Sequence, residues 1–179
     1  MNSFIVTGAS ASGKSTLIEE AIKEGYTYLP THMTRAMREG EINGTSAIFL
    51  TNDKFESNYN HGLYLEPSLD FAYLKALGVY YGTPIEWLQQ LQLDNHCASP
   101  VSIYIAGEIY RRMHILWLHL YCDDYDRYNR LVARGMSTEE VKKRMSSGDS
   151  INIPSSAILM NTSEMCPEEI MEKVKRLKI

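Results

Sequence analysis

Apolar and polar positions fall in short blocks along this chain, and most blocks predict one element each. Phe4 to Thr7 is a brief apolar run that reads as a strand. A Gly- and Ser-rich turn follows. From about Lys14 to Lys23 the spacing of Leu17, Ile18, Ala21 and Ile22 is helical, and Gly25 stands where a helix C-cap falls. Strand, tight loop and helix in that order predict an α/β protein with a parallel sheet and right-handed crossovers. From residue 31 to about 84 polar and aromatic residues mix with Gly40, Gly44, Gly62, Gly78 and Gly82, a pattern of short strands and turns. Within it, Asn52 or Asp53 is placed to cap a short helix through Tyr59. Ile85 to Leu93 is again helical in spacing. Val101 to Ala106 and Ile115 to Tyr121 read as further core strands. A helix follows from Asp123 or Asp124 to Ala133, and another opens on a capping box at Ser137 and Glu140. Ala157 to Asn161 reads as the last strand, and Pro167 to Leu177 as a closing helix with Pro in its first turn. No internal repeat or low-complexity segment interrupts this order.

Composition narrows the class. The 179 residues match about one domain, and 44% hydrophobic residues can fill a sizeable core. Lys and Arg number 18 against 22 Asp and Glu, a net charge of −4, which argues against a general nucleic-acid coat while leaving room for a local basic pocket. No apolar run approaches the roughly 18 residues that span a bilayer. The opening Met1-Asn2-Ser3-Phe4 lacks a basic n-region and reads as the approach to a strand, not a signal peptide. Cys97, Cys122 and Cys166 are widely spaced and odd in number, so a disulfide framework or zinc site is not expected and a reducing cytoplasm is.

The strongest chemical signal is Gly8-Ala9-Ser10-Ala11-Ser12-Gly13-Lys14-Ser15, a full match to G-x-x-x-x-G-K-[ST] between a strand and a helix. Its glycines let successive N–H groups turn toward phosphate oxygens, and the helix that starts near Lys14 adds its positive dipole end. Lys14 is expected to reach the β- and γ-phosphates of ATP, Ser15 to hold Mg²⁺, and Thr16 to complete the loop. Such a loop names a cofactor and leaves the acceptor open, since switches, kinases and motors share it.

Farther on, Thr34-Arg35-Ala36-Met37-Arg38-Glu39-Gly40-Glu41-Ile42-Asn43-Gly44 places two arginines three apart before an acid and two glycines, an arrangement able to clamp a monophosphate. With the P-loop, this stretch resembles the guanylate kinase family. The resemblance extends through Phe49, Phe55, Leu65-Glu66, Tyr80-Tyr81-Gly82-Thr83-Pro84, Arg130-Leu131, Arg134-Gly135, Arg144 and Asn161, in the family's order over nearly the whole chain. It implies a three-layer P-loop kinase fold with a parallel sheet core, an acceptor-binding insertion and a helical lid. The implied division is a core of 1–30, 89–124 and 151–179, an acceptor-binding region of 31–88 and a lid of 125–150. By the resemblance, Arg35 and Arg38 hold the acceptor phosphate with help from Tyr81 and beside Glu41, while Glu66, Thr83 and Thr31 meet a guanine edge. Arg130, Arg134 and Arg144 close over the triphosphate as catalytic cations, and Asn161 contacts the adenine of ATP. The implied partner is a small phosphorylated acceptor, with no nucleic acid or membrane involved, and a monomer or homodimer.

Three departures from the family pattern stand out. Ala47 takes the place of a tyrosine, Leu69 to Val79 is longer than usual, and the strand assigned to Val101–Ala106 lacks an aspartate. GMP or dGMP is the first expected acceptor. Ribose 1,5-bisphosphate, a modified nucleotide or a non-catalytic binding module of the same fold are the alternatives. A P-loop switch would want an acid after an apolar strand, for which Asp123 and Asp124 are the candidates. His61, Asp70, His96 and His114 form no metal or triad spacing.

Overall fold

The computed structural model describes residues 2–75, 78–94, 96–113, 115–146 and 153–177. In chain order its first half contains β1 (Phe4–Gly8), α1 (Lys14–Lys23), β2 (Thr27–Tyr28), β3 (His32–Met33), β4 (Ile48–Phe49), α2 (Asn52–Asn60), α3 (Leu69–Ala72), β5 (Tyr73–Leu74) and β6 (Val79–Gly82). There follow α4 (Trp87–Leu93), β7 (Cys97–Pro100), α5 (Ile103–Arg112), β8 (Leu116–Tyr121), α6 (Asp124–Ala133), α7 (Thr138–Ser146), β9 (Ile158–Asn161) and α8 (Pro167–Arg176).

Five strands form a parallel sheet in the order β2-β7-β1-β8-β9. Both faces are covered, as parallel sheets require. On one face Phe4, Val6, Leu118 and Leu120 pack against Leu17, Ile18 and Ala21 of α1 and Ile170, Met171 and Val174 of α8. On the other, Ile5 and Trp117 pack against Trp87 and Leu91 of α4 and Ile105, Ala106 and Ile109 of α5. Each such side chain contributes about 1.5–3 kcal/mol on burial. Because every strand is parallel, their carboxyl ends share one edge, and the loop after β1 opens there. Ligands of open α/β sheets bind along that edge.

A second, smaller sheet, β4-β3-β6-β5, is built from the 31–88 region and carries Tyr81 on β6. Phe55 of α2 lies between Tyr64 and Tyr80 in a stack with centroid separations of 4.6 and 5.1 Å, and Gly82 passes close beneath it. In the long segment at 69–79, Leu69–Ala72 forms α3 and Tyr73–Leu74 forms β5, with 76 and 77 outside the described residues. Ser68 Oγ accepts from Phe71 N at 3.1 Å, and Phe71 meets Tyr104 of α5 edge-on at 5.2 Å. That contact ties the segment to the core.

Two sequence expectations need correction. Val101–Ala106 is not a strand: Ser102 Oγ caps Ile105 N at 3.3 Å and the chain turns helical from Ile103. The strand is the preceding Cys97–Pro100, whose small side chains fit between β1 and β2, with Ser99 Oγ donating to Leu29 O at 2.7 Å. The second concerns the cap of α2, which is Thr51 and not Asn52 or Asp53; its hydroxyl accepts from Lys54 N at 3.3 Å. The capping box at Ser137–Glu140 forms as expected.

Candidate active site

The loop after β1 is held in an unusual backbone path. Gly8 has φ +145°, and a Cβ there would stand 2.3 Å from Leu120 O and 2.5 Å from Ser12 Oγ, so no other residue fits. Gly13, at φ +94°, occupies the N-cap of α1, which has no side-chain cap, so the first N–H groups of the helix are open to an anion. Ser12 Oγ is buried without a hydrogen-bond partner. An open helix terminus, a cradle too tight for a Cβ and an orphaned hydroxyl suit a phosphate chain. Lys14 Nζ meanwhile folds back onto Gly8 O and Ala9 O, at 2.6 and 2.7 Å. Burial, and then the charges of Arg134 and Arg127, lower its pKa to about 8. Ser15 and Thr16 are exposed at the start of α1. Ser15 offers one hard oxygen, enough for Mg²⁺ when phosphate and water fill its other positions. Among the described residues no group of three His, Cys, Asp or Glu could hold a metal ion.

Four arginines surround this loop. Arg144 Nη1 donates to Ser10 Oγ at 3.0 Å, bringing α7 onto the loop. Arg130 donates to Ala11 O, Thr162 Oγ1 and Thr162 O at 3.3, 2.8 and 2.7 Å. It thereby fastens Ala11, which sits at φ +67°, a conformation costly for a residue with a Cβ. Arg134 is exposed and has no side-chain partner among the described residues; burial first, then Arg144 and Arg130, push its pKa down. The fourth, Arg127, is 3% exposed; its Nε donates to Ser10 O at 3.2 Å and its Nη2 to Arg144 O at 2.6 Å. Asn161 ends β9, and its Oδ1 accepts from Ser163 N at 3.0 Å. The neighbouring Thr162 is the residue that touches the loop, donating to Ser12 O at 3.1 Å.

In the segment after β3, Arg35 and Glu41 form a two-pronged ion pair at 2.6 and 2.5 Å, with the guanidinium 5.3 Å from the Phe49 ring centroid. Hydrogen bonding to Arg35 holds the Glu41 carboxyl below the usual glutamate range. The Tyr81 hydroxyl lies within reach of the same guanidinium. Arg38 is exposed, with no side-chain partner among the described residues; its pKa is lowered by burial and then by Arg35 and Arg144. That pair of neighbours places Arg38 of the 31–88 region and Arg144 of α7 within one another's field. Glu66 is buried, and its two oxygens accept from Thr83 N at 3.0 and 2.9 Å, with Thr83 Oγ1 adding 3.0 Å. Burial raises the Glu66 pKa, and these bonds oppose the rise. Thr31 O accepts from Ile48 N at the base of the same sheet. Ala47 is buried and brings no hydroxyl.

The remaining candidates lie apart. Asp123 and Asp124 are exposed at the head of α6, and His61 Nδ1 stands 2.6 Å from Ser57 O. Asp70 starts α3, His96 lies beside Asp94 at the far end of β7, and His114 is outside the described residues. The corrected strand Cys97–Pro100 has no acid either, so that departure stands at a new position. Sequence reasoning missed Arg127, Thr162 and a trio of buried Thr7 and Trp117 with half-buried His119. For Arg127 the available signal was its place three residues before Arg130, one helical turn on the same face. For the trio it was a polar threonine and histidine inside otherwise apolar strands.

A parallel sheet with a phosphate cradle at its carboxyl edge, ringed by arginines, is the arrangement of a P-loop phosphotransferase. The sequence matches the family model for guanylate kinase over residues 1–103. Similar curated proteins include the guanylate kinase of Protochlamydia amoebophila, 31% identical over 147 residues, covering 79% of this chain and 72% of that protein. The guanylate kinase of Listeria monocytogenes is 29% identical over 153 residues, covering 79% and 69%. The chain belongs to the guanylate kinase family and is an enzyme of the phosphotransferase class. Among solved structures, a guanylate kinase from Anaplasma phagocytophilum superposes with a TM-score of 0.60 at 15% identity, over 98% of this chain and 82% of that one. A sugar kinase from a Janibacter species gives 0.52 at 15% identity, over 98% and 93%. At that identity both likenesses speak to the fold alone.

Proposed function

We propose that the chain transfers the γ-phosphoryl group of ATP, with Mg²⁺, to the phosphate of a nucleoside monophosphate, GMP or dGMP before others. What carries the reading is the loop after β1, where a turn too tight for a Cβ, an uncapped helix N-terminus and the unpaired Ser12 hydroxyl suit a phosphate chain, with Arg144 on Ser10 beside it and Arg38 within its electrostatic reach. Magnesium-bound ATP supplies the electrophilic phosphorus, and the acceptor phosphate is already anionic, so no strong base is required. Lys14 and the open N-terminus of α1 neutralise the donor phosphates, while Arg35, Arg38 and Tyr81 orient the acceptor. Arg134 and Arg144 complete the closure from the 125–150 lid, with 147–150 outside the described residues, and Arg130 stiffens the loop below them. Glu66 accepts from the N–H pair of a guanine edge, a pattern that adenine reverses. Asn161 flanks the adenine of ATP. The 31–88 region works as the acceptor half against a core of 1–30, 89–124 and 151–179. Cytoplasmic action on a small molecule by a monomer or homodimer fits this chemistry, and no helix among the described residues is long and apolar enough to cross a membrane.

A second reading has one observation in its favour. Both Glu66 oxygens already take the Thr83 N–H, which suits a site whose acceptor has no base to grip, such as ribose 1,5-bisphosphate. Intact Lys14 and Ser15 weigh against a non-catalytic module. The deciding experiment is ADP release with Mg²⁺ and ATP across GMP, dGMP, AMP, CMP, UMP, dTMP and ribose 1,5-bisphosphate. Selective turnover of GMP or dGMP supports the first reading. Turnover of the bisphosphate alone replaces it with the second. Lys14→Ala is expected to abolish turnover with the fold intact, and an unchanged rate would remove the kinase reading.

A further inference from the structure

We propose that His119 is a further catalytic residue, whose Nε2–H donates a hydrogen bond to the phosphate held between Lys14 and the acceptor arginines. The inference rests on the phosphoryl-transfer reading above but not on which acceptor is used.

Strand β8 lies parallel to β1 with Thr7 opposite His119 and Gly8 opposite Leu120. His119 therefore stands beside the last residue before the phosphate loop, at the ligand-binding edge of the sheet. Strand alternation puts it on the same face as Trp117, with Leu118 and Leu120 turned into the opposite core. Beneath it, Trp117 Nε1–H donates to Thr7 Oγ1 at 2.9 Å, and that oxygen lies 2.8 Å from His119 Nδ1. Leu118 O is a longer alternative at 3.3 Å. Thr7 and Trp117 are buried, so water does not compete for these bonds. With the threonine proton directed at Nδ1, the imidazole carries its own proton on Nε2.

The two ring nitrogens point apart, so fixing Nδ1 downward turns Nε2 away from the trio. Among the described residues Nε2 has no partner. Burial first, and then the charge of its electrostatic neighbour Lys14, lower the histidine pKa from the ordinary value, which favours the neutral ring. A neutral donor suits this place. Lys14, Arg127, Arg134 and Arg144 already crowd the loop with like charge, and another cation would raise that repulsion, whereas an N–H dipole adds a contact without it. On the other flank of β1, β7 ends in Ser99 and Pro100 and aims no carboxylate at the same space. The floor of this site therefore holds an imidazole donor in place of an acid.

Long-range proton–nitrogen NMR of the histidine rings reads the tautomer directly in the intact protein. The expected result is Nε2–H for His119 at neutral pH, with that nitrogen shifting when Mg²⁺ and ATP are added while His61 and His96 stay put. An Nδ1–H tautomer, or a His119 signal indifferent to nucleotide, overturns the proposal. In turnover, His119→Ala is expected to lower kcat about 10²- to 10³-fold, as loss of one preorganised donor does, with both KM values within threefold. His119→Gln, which keeps an N–H near the same point, should recover most of it. Wild-type kcat in the alanine variant refutes the contact. A protein that phosphorylates no nucleotide yet shifts His119 with Mg²⁺ and ATP overturns the acceptor assignment alone and supports this one.

Discussion

Arg127 is buried between the phosphate loop and the end of α7, and replacing it with methionine tests whether it couples them. The guanidinium gives one bond to Ser10 O in the phosphate loop and one to Arg144 O near the end of α7. Charge-assisted bonds are worth about 1.5–3 kcal/mol each, so these two bonds account for about 3–6 kcal/mol of gross loss. Three effects offset it. Methionine fills nearly the same volume, so little cavity forms. Ser10 and Arg144 are only half-buried, so their carbonyls regain water. Removing one charge from beside Lys14 also relieves repulsion. The net expectation is a loss of about 1–3 kcal/mol in urea unfolding. Catalysis should suffer more than folding: with α7 untied, the Arg144 contact to Ser10 Oγ loosens, and displacement of order 1 Å costs roughly 100-fold. Steady-state ADP release should then show kcat/KM for ATP down about 10- to 100-fold, with the acceptor KM little changed. Wild-type turnover in a destabilised variant would show that Arg127 only supports the fold. Wild-type values of both quantities would refute the coupling altogether.

Other expectations can be checked beside it. Arg38→Ala should raise the acceptor KM and depress kcat; an effect confined to the ATP KM contradicts its place beside the acceptor phosphate. Gly82→Ala puts a Cβ 2.8 Å from Phe55 Cζ and from the Tyr64 ring, and such overpacking should cost about 1–3 kcal/mol in urea unfolding, with an unchanged midpoint as the contrary result. Glu41 has a lowered folded-state pKa, so its ion pair stabilises fully above the ordinary glutamate value of about 4.3 and is lost as pH falls through the folded value. The stability gap between wild type and Glu41→Gln, about 1–3 kcal/mol at pH 7, should therefore close toward pH 3, and a gap constant with pH would disprove the pairing.

Local chemistry made the phosphate loop legible, because its glycines, Lys14 and the strand and helix around it sit within twenty residues. The same holds for α6, α7 and α8, whose periodicity shows in the sequence, and for the Ser137–Glu140 box that opens α7. Val101–Ala106 misled because its β-branched and aromatic residues alternate like a strand, while the helix is set by Ser102 and the buried stripe Ile105, Ala106 and Ile109. Cys97–Pro100 has almost no strand propensity of its own; tertiary placement between two strands overrides it. The site followed the same division. Arg35, Arg38 and Glu41 were visible as one run, and their pairing needed only six residues of chain. Arg127, Thr162 and His119 meet the loop from 100 or more residues away, and no local pattern encodes such meetings.

The edge-on contact between Phe71 and Tyr104 bears on how freely the small sheet can swing from the core. Any opening there parts the two rings. An aromatic pair of this kind is worth about 0.5–1.5 kcal/mol, enough to bias an open–shut equilibrium about 2- to 13-fold toward shut. In an enzyme that opens along this seam, the Phe71–Tyr104 contact would act as a weak spring, shortening each excursion and sparing the arriving acceptor part of the work of drawing the halves together.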